Sequence, residues 1–543
     1  MKTTILRATL LVLVVPSAFA QAPSVHETKL GDDGARLGWA LSPAGDVDAD
    51  GTIDYVGGEP RDDTVANSAG RARVWSGDTG NLLFSVLGDA QADQLGYSVS
   101  GVGDVTGDGR SEFVAGAPFD DDNGLASGLV RVYRGNNGTV LHQWLGDATG
   151  DEFGRSVADA GDVDNDGWPD VIVGAPQSLA GGDGYARIFS GDDGLVIRTL
   201  LGVDHQGSFG ISVDGVGDID KDGWDDVVVG AYQDDTPGTS RGRAYVYSGL
   251  DGSTLMTLDG LADFDWFGWS VAGAGDVNGD TWPDIVVGAY GADPGGDTSG
   301  QVRVFSGFDA SVLLTLDGEA ASENLGWSVD GAGDVNGDNR DDVIVGAPIL
   351  GAGRARIFSG LDGALLMEIG GDNASDQRGR AVAGLGQDLN GDGHPEVLVG
   401  APLDDDNGSS SGSLLVVSGF QPWTDVGGGL AGTTGEPNLA GVGTLLSGSF
   451  GTATLTGALP STTAWLVLGF TNVSLPFKLG TLVPDPAFIF SGLPVDSGGT
   501  LALPFLWPVG IPSGFETFMQ VWTSDAGGPV GFAASNGLRA TAP

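Results

Sequence analysis

The chain has 543 residues, 73 of them acidic and 24 basic, for a formal net charge of −49. That balance excludes nucleic acid as a partner, because a phosphate backbone needs a basic footprint, and the length calls for more than one domain. The absence of cysteine excludes a disulfide framework or a zinc–thiolate site, while 96 glycines and 41% hydrophobic residues in short runs suit a turn-rich all-β chain, not a disordered acidic one.

Residues 1–20 are expected to be a signal peptide: Lys2 and Arg7 precede the apolar stretch Ala8 to Val15, and Ser17-Ala18-Phe19-Ala20 supplies the small residues a signal peptidase reads. The stretch is too short to span a membrane, and no later run is long enough, so a secreted or cell-surface protein without a membrane span is expected.

From residue 21 to about 420 one block recurs seven times. Its clearest copy joins Phe267-Gly268-Trp269-Ser270-Val271, Gly275-Asp276-Val277-Asn278-Gly279-Asp280 and Pro283-Asp284-Ile285-Val286-Val287-Gly288-Ala289-Tyr290. The first aspartate of each block stands at 46, 104, 162, 218, 276, 334 and 388, a repeat of 54 to 58 residues. Each block reads as four strands: a Gly-Trp-Ser-Val run, a continuous apolar run such as Val171-Ile172-Val173, an alternating run such as Arg243 to Tyr247, and a Leu-rich run near Leu313 to Leu316. Seven four-stranded units predict a seven-bladed β-propeller, which closes on itself and removes exposed edges. The last block lacks a fourth strand, and Val25 to Leu30, ahead of the first block, fits that place. This N-terminal segment is expected to complete the seventh blade.

Between the first and second strands every block carries oxygen-bearing side chains at loop positions 1, 3, 5 and 9, acidic at 1, 5 and 9 and Asp, Asn or Thr at 3. The first four sets are Asp46, Asp48, Asp50, Asp54; Asp104, Thr106, Asp108, Glu112; Asp162, Asp164, Asp166, Asp170; and Asp218, Asp220, Asp222, Asp226. The last three are Asp276, Asn278, Asp280, Asp284; Asp334, Asn336, Asp338, Asp342; and Asp388, Asn390, Asp392, Glu396. Oxygen donors on alternate residues of a tight loop suit a hard cation with six or more ligands. Calcium, up to seven ions in a structural role, is therefore expected, with the position 7 carbonyl as a further ligand. Glycine usually holds position 6, where the chain turns sharply; Thr281 and Asn339 stand there in the fifth and sixth loops. Position 12 is never the bidentate glutamate of an EF-hand. The alternative, that these aspartates only form turns, leaves their mutual repulsion without compensation.

These blocks resemble FG-GAP repeats, named for Phe-Gly as at Phe153-Gly154, Phe209-Gly210 and Phe267-Gly268, and for Gly-Ala-Pro as at Gly116-Ala117-Pro118, Gly174-Ala175-Pro176, Gly346-Ala347-Pro348 and Gly400-Ala401-Pro402. The head domains of integrin α subunits are built from such repeats, with calcium in the loops between the first two strands of some blades. Leu-Gly replaces Phe-Gly in three units, Arg378-Gly379 in the seventh, and Gly57-Gly58-Glu59-Pro60 stands in the first where Gly-Ala-Pro is expected. The resemblance implies extracellular adhesion or recognition of a protein or glycan ligand. It also implies that ligands meet the face opposite the calcium loops, where the 2–3 and 4–1 connections lie. Those connections include Phe119 to Gly124, Leu403 to Gly408 and Asp263-Phe264-Asp265-Trp266. Trp266 either anchors a partner or packs on the next blade, while Trp168, Trp224 and Trp282, which follow metal loops, are expected to pack between blades.

Residues 421–543 hold six acidic and two basic residues, and the loop motif vanishes. Short apolar runs such as Ala464 to Leu468 and Phe518 to Trp522 separated by Gly and Pro predict a β-sandwich. Its Gly531-Phe532-Ala533-Ala534-Ser535-Asn536 stretch resembles a module that ends many secreted bacterial repeat proteins; sorting, attachment and edge protection are all open roles. The four histidines form no constellation, and no nucleophile elbow, Walker loop or His-Glu-x-x-His is present. A binder is expected over an enzyme. A structural envelope or matrix protein, or a hydrolase using the propeller funnel, are the alternatives.

Overall fold

A computed structural model of the protein describes residues 24–418 apart from 204–206, 237 and 392. Of 423–541 it describes all but 428, 443–449, 478–479, 485, 507–515 and 529–531. The expected signal peptide lies outside the described residues. The chain forms two compact units, one of Gln21–Gln421 and one holding Pro422–Pro543. Every regular element among the described residues is a strand, so none of them forms a helix long and apolar enough to cross a membrane.

The first unit contains seven antiparallel sheets of four strands. The innermost strands adjoin one another in chain order, and the seventh adjoins the first, so the ring is closed. Six blades are continuous in sequence. The seventh takes its outermost strand, Ser24–Leu30, from the N-terminus, paired antiparallel with Ser413–Ser418. The reading of Val25 to Leu30 as the missing strand is borne out.

The core lies between blades. Val114, Val130 and Val132 of the second blade pack with Val171, Val173 and Phe189 of the third. At the closing seam Leu37, Tyr55 and Trp75 of the first blade meet Leu398, Leu414 and Val416 of the seventh. Second strands such as Asp170–Ala175 are buried throughout, which is why they read as continuous apolar runs. The alternation expected of Arg243–Tyr247 is weak: four of its five residues are buried, because blades cover both faces. Outermost strands such as Val312–Asp317 are largely exposed.

The Phe-Gly and Gly-Ala-Pro motifs mark the seams. A Cβ on Gly174 would stand 2.0 Å from the carbonyl oxygen of Gly210 in the next blade, and one on Gly346 the same distance from that of Gly379. Only glycine allows backbones so close. Phe153, Phe209 and Phe267 fill the seam beside these contacts, and Leu37, Leu95 and Leu325 serve equally well, all fully buried. Arg378 in the seventh blade instead donates to the Gly370 carbonyl at 2.8 Å and lies 3.7 Å from Asp404. Glu59, in the first blade's departure from Gly-Ala-Pro, is fully buried and paired with Arg71 and Arg73.

In the second unit Trp423–Gly427, Gly537–Thr541, Glu516–Ser524, Thr463–Gly469 and Phe488–Pro494 form one sheet, with Phe532–Ala534 beside Glu516–Ser524. Asn438–Val442, Phe450–Thr456 and Leu501–Leu506 form a second sheet. Leu439, Ala453 and Leu455 of the smaller sheet share a core with Ala464, Val521 and Leu538 of the larger, the sandwich arrangement. Asn536, at the end of the Phe-Ala-Ala-Ser-Asn stretch, accepts from Leu439 N at 2.6 Å and donates to Leu439 O at 3.0 Å, tying the two sheets together.

Candidate metal centre

Each innermost strand runs from the 4–1 connection at one end of the ring to the acidic loop at the other, which gathers all seven loops on one face. Entry to the loop is a β-bulge: the register shifts between Asp159 and Gly161, and equally between Gly273 and Gly275 or Gly331 and Gly333. The bulge glycines take a left-handed backbone, for example Gly161 with φ 71°.

Within the loop each carboxylate has a fixed task. In all seven loops the position 1 aspartate accepts the N–H of position 6, at 2.7 to 3.0 Å. In six of them the position 5 aspartate accepts the N–H of position 7, at 2.8 to 3.1 Å; the seventh, Asp392, lies outside the described residues. Position 6 is left-handed throughout, from φ 97° at Gly223 to 64° at Asn339, with Thr281 at 74°, as the sharp turn requires. Position 4 is left-handed as well, at Ala49, Asn165 and Lys221 among others, which the glycine count alone does not reveal. A β-branched residue is poorly suited to that region. Thr281→Gly is therefore expected to stabilise the folded chain by about 1 kcal/mol, read as a higher denaturation midpoint at unchanged slope.

Position 9 departs from a simple ligand. Asp54, Glu112, Asp170, Asp226, Asp284, Asp342 and Glu396 are all fully buried. Asp54 accepts from Val47 N at 2.8 Å on one oxygen and from Gly77 N at 2.9 Å on the other. The pattern recurs, as with Ile219 N at 2.8 Å and Gly249 N at 2.9 Å on Asp226. Each position 9 acid thus pins its loop, and in six blades it also pins the 3–4 turn.

The structure brings the carboxylate oxygens of Asp46, Asp48 and Asp50 within 4.8 Å of one another, and likewise those of Asp162, Asp164 and Asp170 and of Asp218, Asp220 and Asp226. It does not draw Asp54, Asp166 or Asp222 into those triplets. In the loops with an uncharged position 3, Asn278 and Asn336 turn their amide nitrogens to Asp284 and Asp342, at 3.5 and 3.4 Å. That leaves Asn336 Oδ1 buried without a hydrogen-bond partner, as is Thr106 Oγ1 at the same loop position. Lone buried acceptors and crowded carboxylates are the donor set a hard cation satisfies, so the residues fit calcium.

Burial lifts Asp54 and Asp284 to about 6, and Glu112, Asp170 and Asp226 to about 7; it also raises Asp342 well above the usual carboxylate range. Backbone donors oppose the shift and the other loop carboxylates add to it. The folded protein without metal therefore holds these protons more tightly than the unfolded chain. Their contribution to stability is whole below about pH 4, the unfolded value, and is lost as pH rises through 6 to 7. In chelator the melting temperature is expected to fall across that window. With calcium, which replaces the protons, the fall is expected to vanish; a scanning fluorimetry series in pH checks both.

The opposite face has its own buried acids, which the sequence reading missed. Asp93, Asp151, Asp265, Glu323 and Asp376 close the 4–1 turns; Asp151, for instance, accepts from both Asp147 N and Ala148 N at 3.0 Å. Their signal is an acid three residues after the turn begins. Asp120 and Asp404, in the acidic 2–3 connections, are buried turn formers that accept from Asp122 N and Asp406 N. Trp266 packs on Tyr290 of the following blade, ring centroids 4.9 Å apart, while its neighbour Phe264 is exposed. Trp168 lies over Gly107 of the preceding loop, and Lys221 sits 4.3 Å above the Trp282 ring.

A model of the FG-GAP repeat matches residues 209–247, 267–305, 325–358 and 380–417, and one of an FG-GAP-like repeat matches 104–173. The chain carries FG-GAP repeats. The first blade of this FG-GAP propeller, outside those spans, repeats the same strands and loop. The chain is similar to integrin alpha-V of Gallus gallus, 32% identical over 216 residues, or 37% of this chain and 20% of that protein. It is similar also to integrin alpha-8 of Mus musculus, 30% over 246 residues, or 41% and 21%, and to integrin alpha-6 of Homo sapiens, 32% over 206 residues, or 36% and 17%. The match spans about a fifth of the length of these relatives.

Proposed function

We propose that this chain is a calcium-loaded recognition propeller, secreted or displayed at the cell surface, whose metals are structural. One observation carries the metal: the position 3 side chains of the second and sixth loops each leave a buried oxygen without a partner, at the place where the first, third and fourth loops gather carboxylates. Positions 1, 3, 5 and 9 of each loop would hold the ion. Bound calcium supplies the positive charge that the loop lacks. The chain's own part is to fix the loop by backbone hydrogen bonds before any ion arrives, so that little ordering is left for binding. Adhesion or ligand recognition is supported by the likeness to integrin α chains. A hydrolase is not favoured, because the position 9 acids raised toward neutrality are fully buried beneath their loops, and Asp159, Asp214 and Asp330, raised on the innermost strands, are held by backbone N–H groups.

The test is an ion count on the full chain by calorimetry and elemental analysis. Roughly five to seven calcium ions are expected, with one fewer in Asn336→Leu and in Thr106→Val. A count of zero overturns the metal assignment. Calcium-dependent retention on immobilised extracellular proteins or glycans, lost in chelator, tests recognition; retention on neither leaves an envelope or matrix role.

A further inference from the structure

The residue one or two places ahead of each innermost strand stands at the channel mouth opposite the metal loops. Trp39, Tyr97, Arg155, Trp269, Trp327 and Arg380 hold this position in six blades, and they touch around the mouth. Trp39 and Tyr97 meet edge to face at 5.4 Å, and Trp269 and Trp327 lie 5.2 Å apart. Arg155 lies over Tyr97 at 4.7 Å, and Arg380 lies between Trp39 at 4.3 Å and Trp327 at 4.7 Å.

Arg380 stands apart in its partners. Elsewhere in the ring Arg71 and Arg73 pair with Glu59, and Arg356 with Glu323 and Glu368, while Arg303, buried without an ion pair, still donates to the Asp259 carbonyl at 2.6 Å. Among the described residues no carboxylate lies within ion-pair reach of Arg380 or of Arg36 beside it, and Arg155 has only Glu152, at 3.7 Å. Among the described residues the Arg380 guanidinium has no hydrogen-bond partner, in a chain with 73 acidic residues. Burial, together with Arg155 and Arg36 nearby, depresses it to about 10. Indole rings of Trp39 and Trp327 lie against it, and a guanidinium presents its donors in its own plane, where a carboxylate accepts two at once.

We propose that this mouth binds the carboxylate of an acidic sugar, a uronate, with Arg380 as the anion-binding side chain and the tryptophans as walls for the pyranose ring. The net charge of −49 repels polyanions at long range, which favours one uronate within an otherwise neutral glycan over an acidic peptide or a phosphorylated ligand. The inference rests on the recognition reading and gives it a ligand class.

The test titrates the calcium-loaded full chain with D-glucuronate, glucose, acetate and inorganic phosphate, followed by saturation-transfer NMR and tryptophan fluorescence. Glucuronate is expected to bind at least tenfold more tightly than glucose, acetate or phosphate. Arg380→Gln is expected to lower its affinity at least tenfold, and Arg380→Lys to retain part of it, with melting temperature and calcium count unchanged in both. Glucose binding as well as glucuronate, or indifference to Arg380→Gln, overturns the proposal. Acetate matching glucuronate removes the sugar, and phosphate matching it removes the carboxylate. A chain that keeps its calcium and its retention on other ligands, yet ignores glucuronate, refutes this inference and leaves the recognition reading intact.

Discussion

Removing calcium is expected to lower the melting temperature of the full chain by on the order of 10–20 °C, with the propeller as the part that melts. Ion binding at a concentration a hundredfold above the dissociation constant stabilises by about 2.7 kcal/mol per site, and several sites act on one closed ring. The loops are well held even without metal, since backbone donors occupy position 1 and position 9 in every blade. What a bound ion would relieve is the repulsion. Asp48, Asp164 and Asp220 are all raised, first by burial and then by the adjacent loop carboxylates. Calorimetry with and without chelator decides the matter, and a melting temperature that ignores both calcium and chelator would mean that the aspartates are turn formers alone. High salt separates the two components further, since it screens exposed position 3 and position 5 charges but not the buried position 9 acids.

The second large effect is expected from deleting residues 21–30. Their strand is the outer member of the seventh blade, and it is fastened to the first blade as well. Tyr55 donates to Glu27 at 2.5 Å, Lys29 donates to the Gly80 carbonyl, and Asp32, just beyond the strand, pairs with Arg71 at 2.6 Å. Without it Ser413–Ser418, buried at every position, becomes a naked edge carrying Leu414, Leu415, Val416 and Val417. Such an edge recruits other chains. The shortened chain is expected to elute as aggregates, and a synthetic peptide of residues 24–33 is expected to restore part of the monomer. A monomeric variant with unchanged melting would show that the ring holds without this strand.

Much of the ring was legible because each blade repeats one pattern, so that a strand seen once is seen seven times. Val25 to Leu30 could be placed by noticing which strand the last block lacked. Gly51 and its counterparts revealed the turn, and the structure extends it to Thr281 and Asn339 at the same backbone angle. The candidate site was legible in its residues but less so in their tasks. Nothing in the spacing distinguishes Asp54 from Asp50, yet one is buried beneath the loop and the other exposed, because Gly77, its second donor, arrives from a turn 23 residues away. Glu59 reads as a flaw in a motif until Arg71 and Arg73 are seen across the sheet. Arg380 and Trp39 lie at opposite ends of the ring's sequence, and only closure brings them together.

That closure also orders events in time. Val25 pairs with Val417, so the first strand made must wait for the last repeat before it has a partner. Contacts so distant along the chain form late. A chain cut short by proteolysis or incomplete synthesis never acquires its clasp, however well its earlier blades are formed, and remains an open arc with an unpaired end. The ring therefore tells a finished copy from an unfinished one by shape alone, and any protease that attacks exposed strand edges would remove the unfinished copies first.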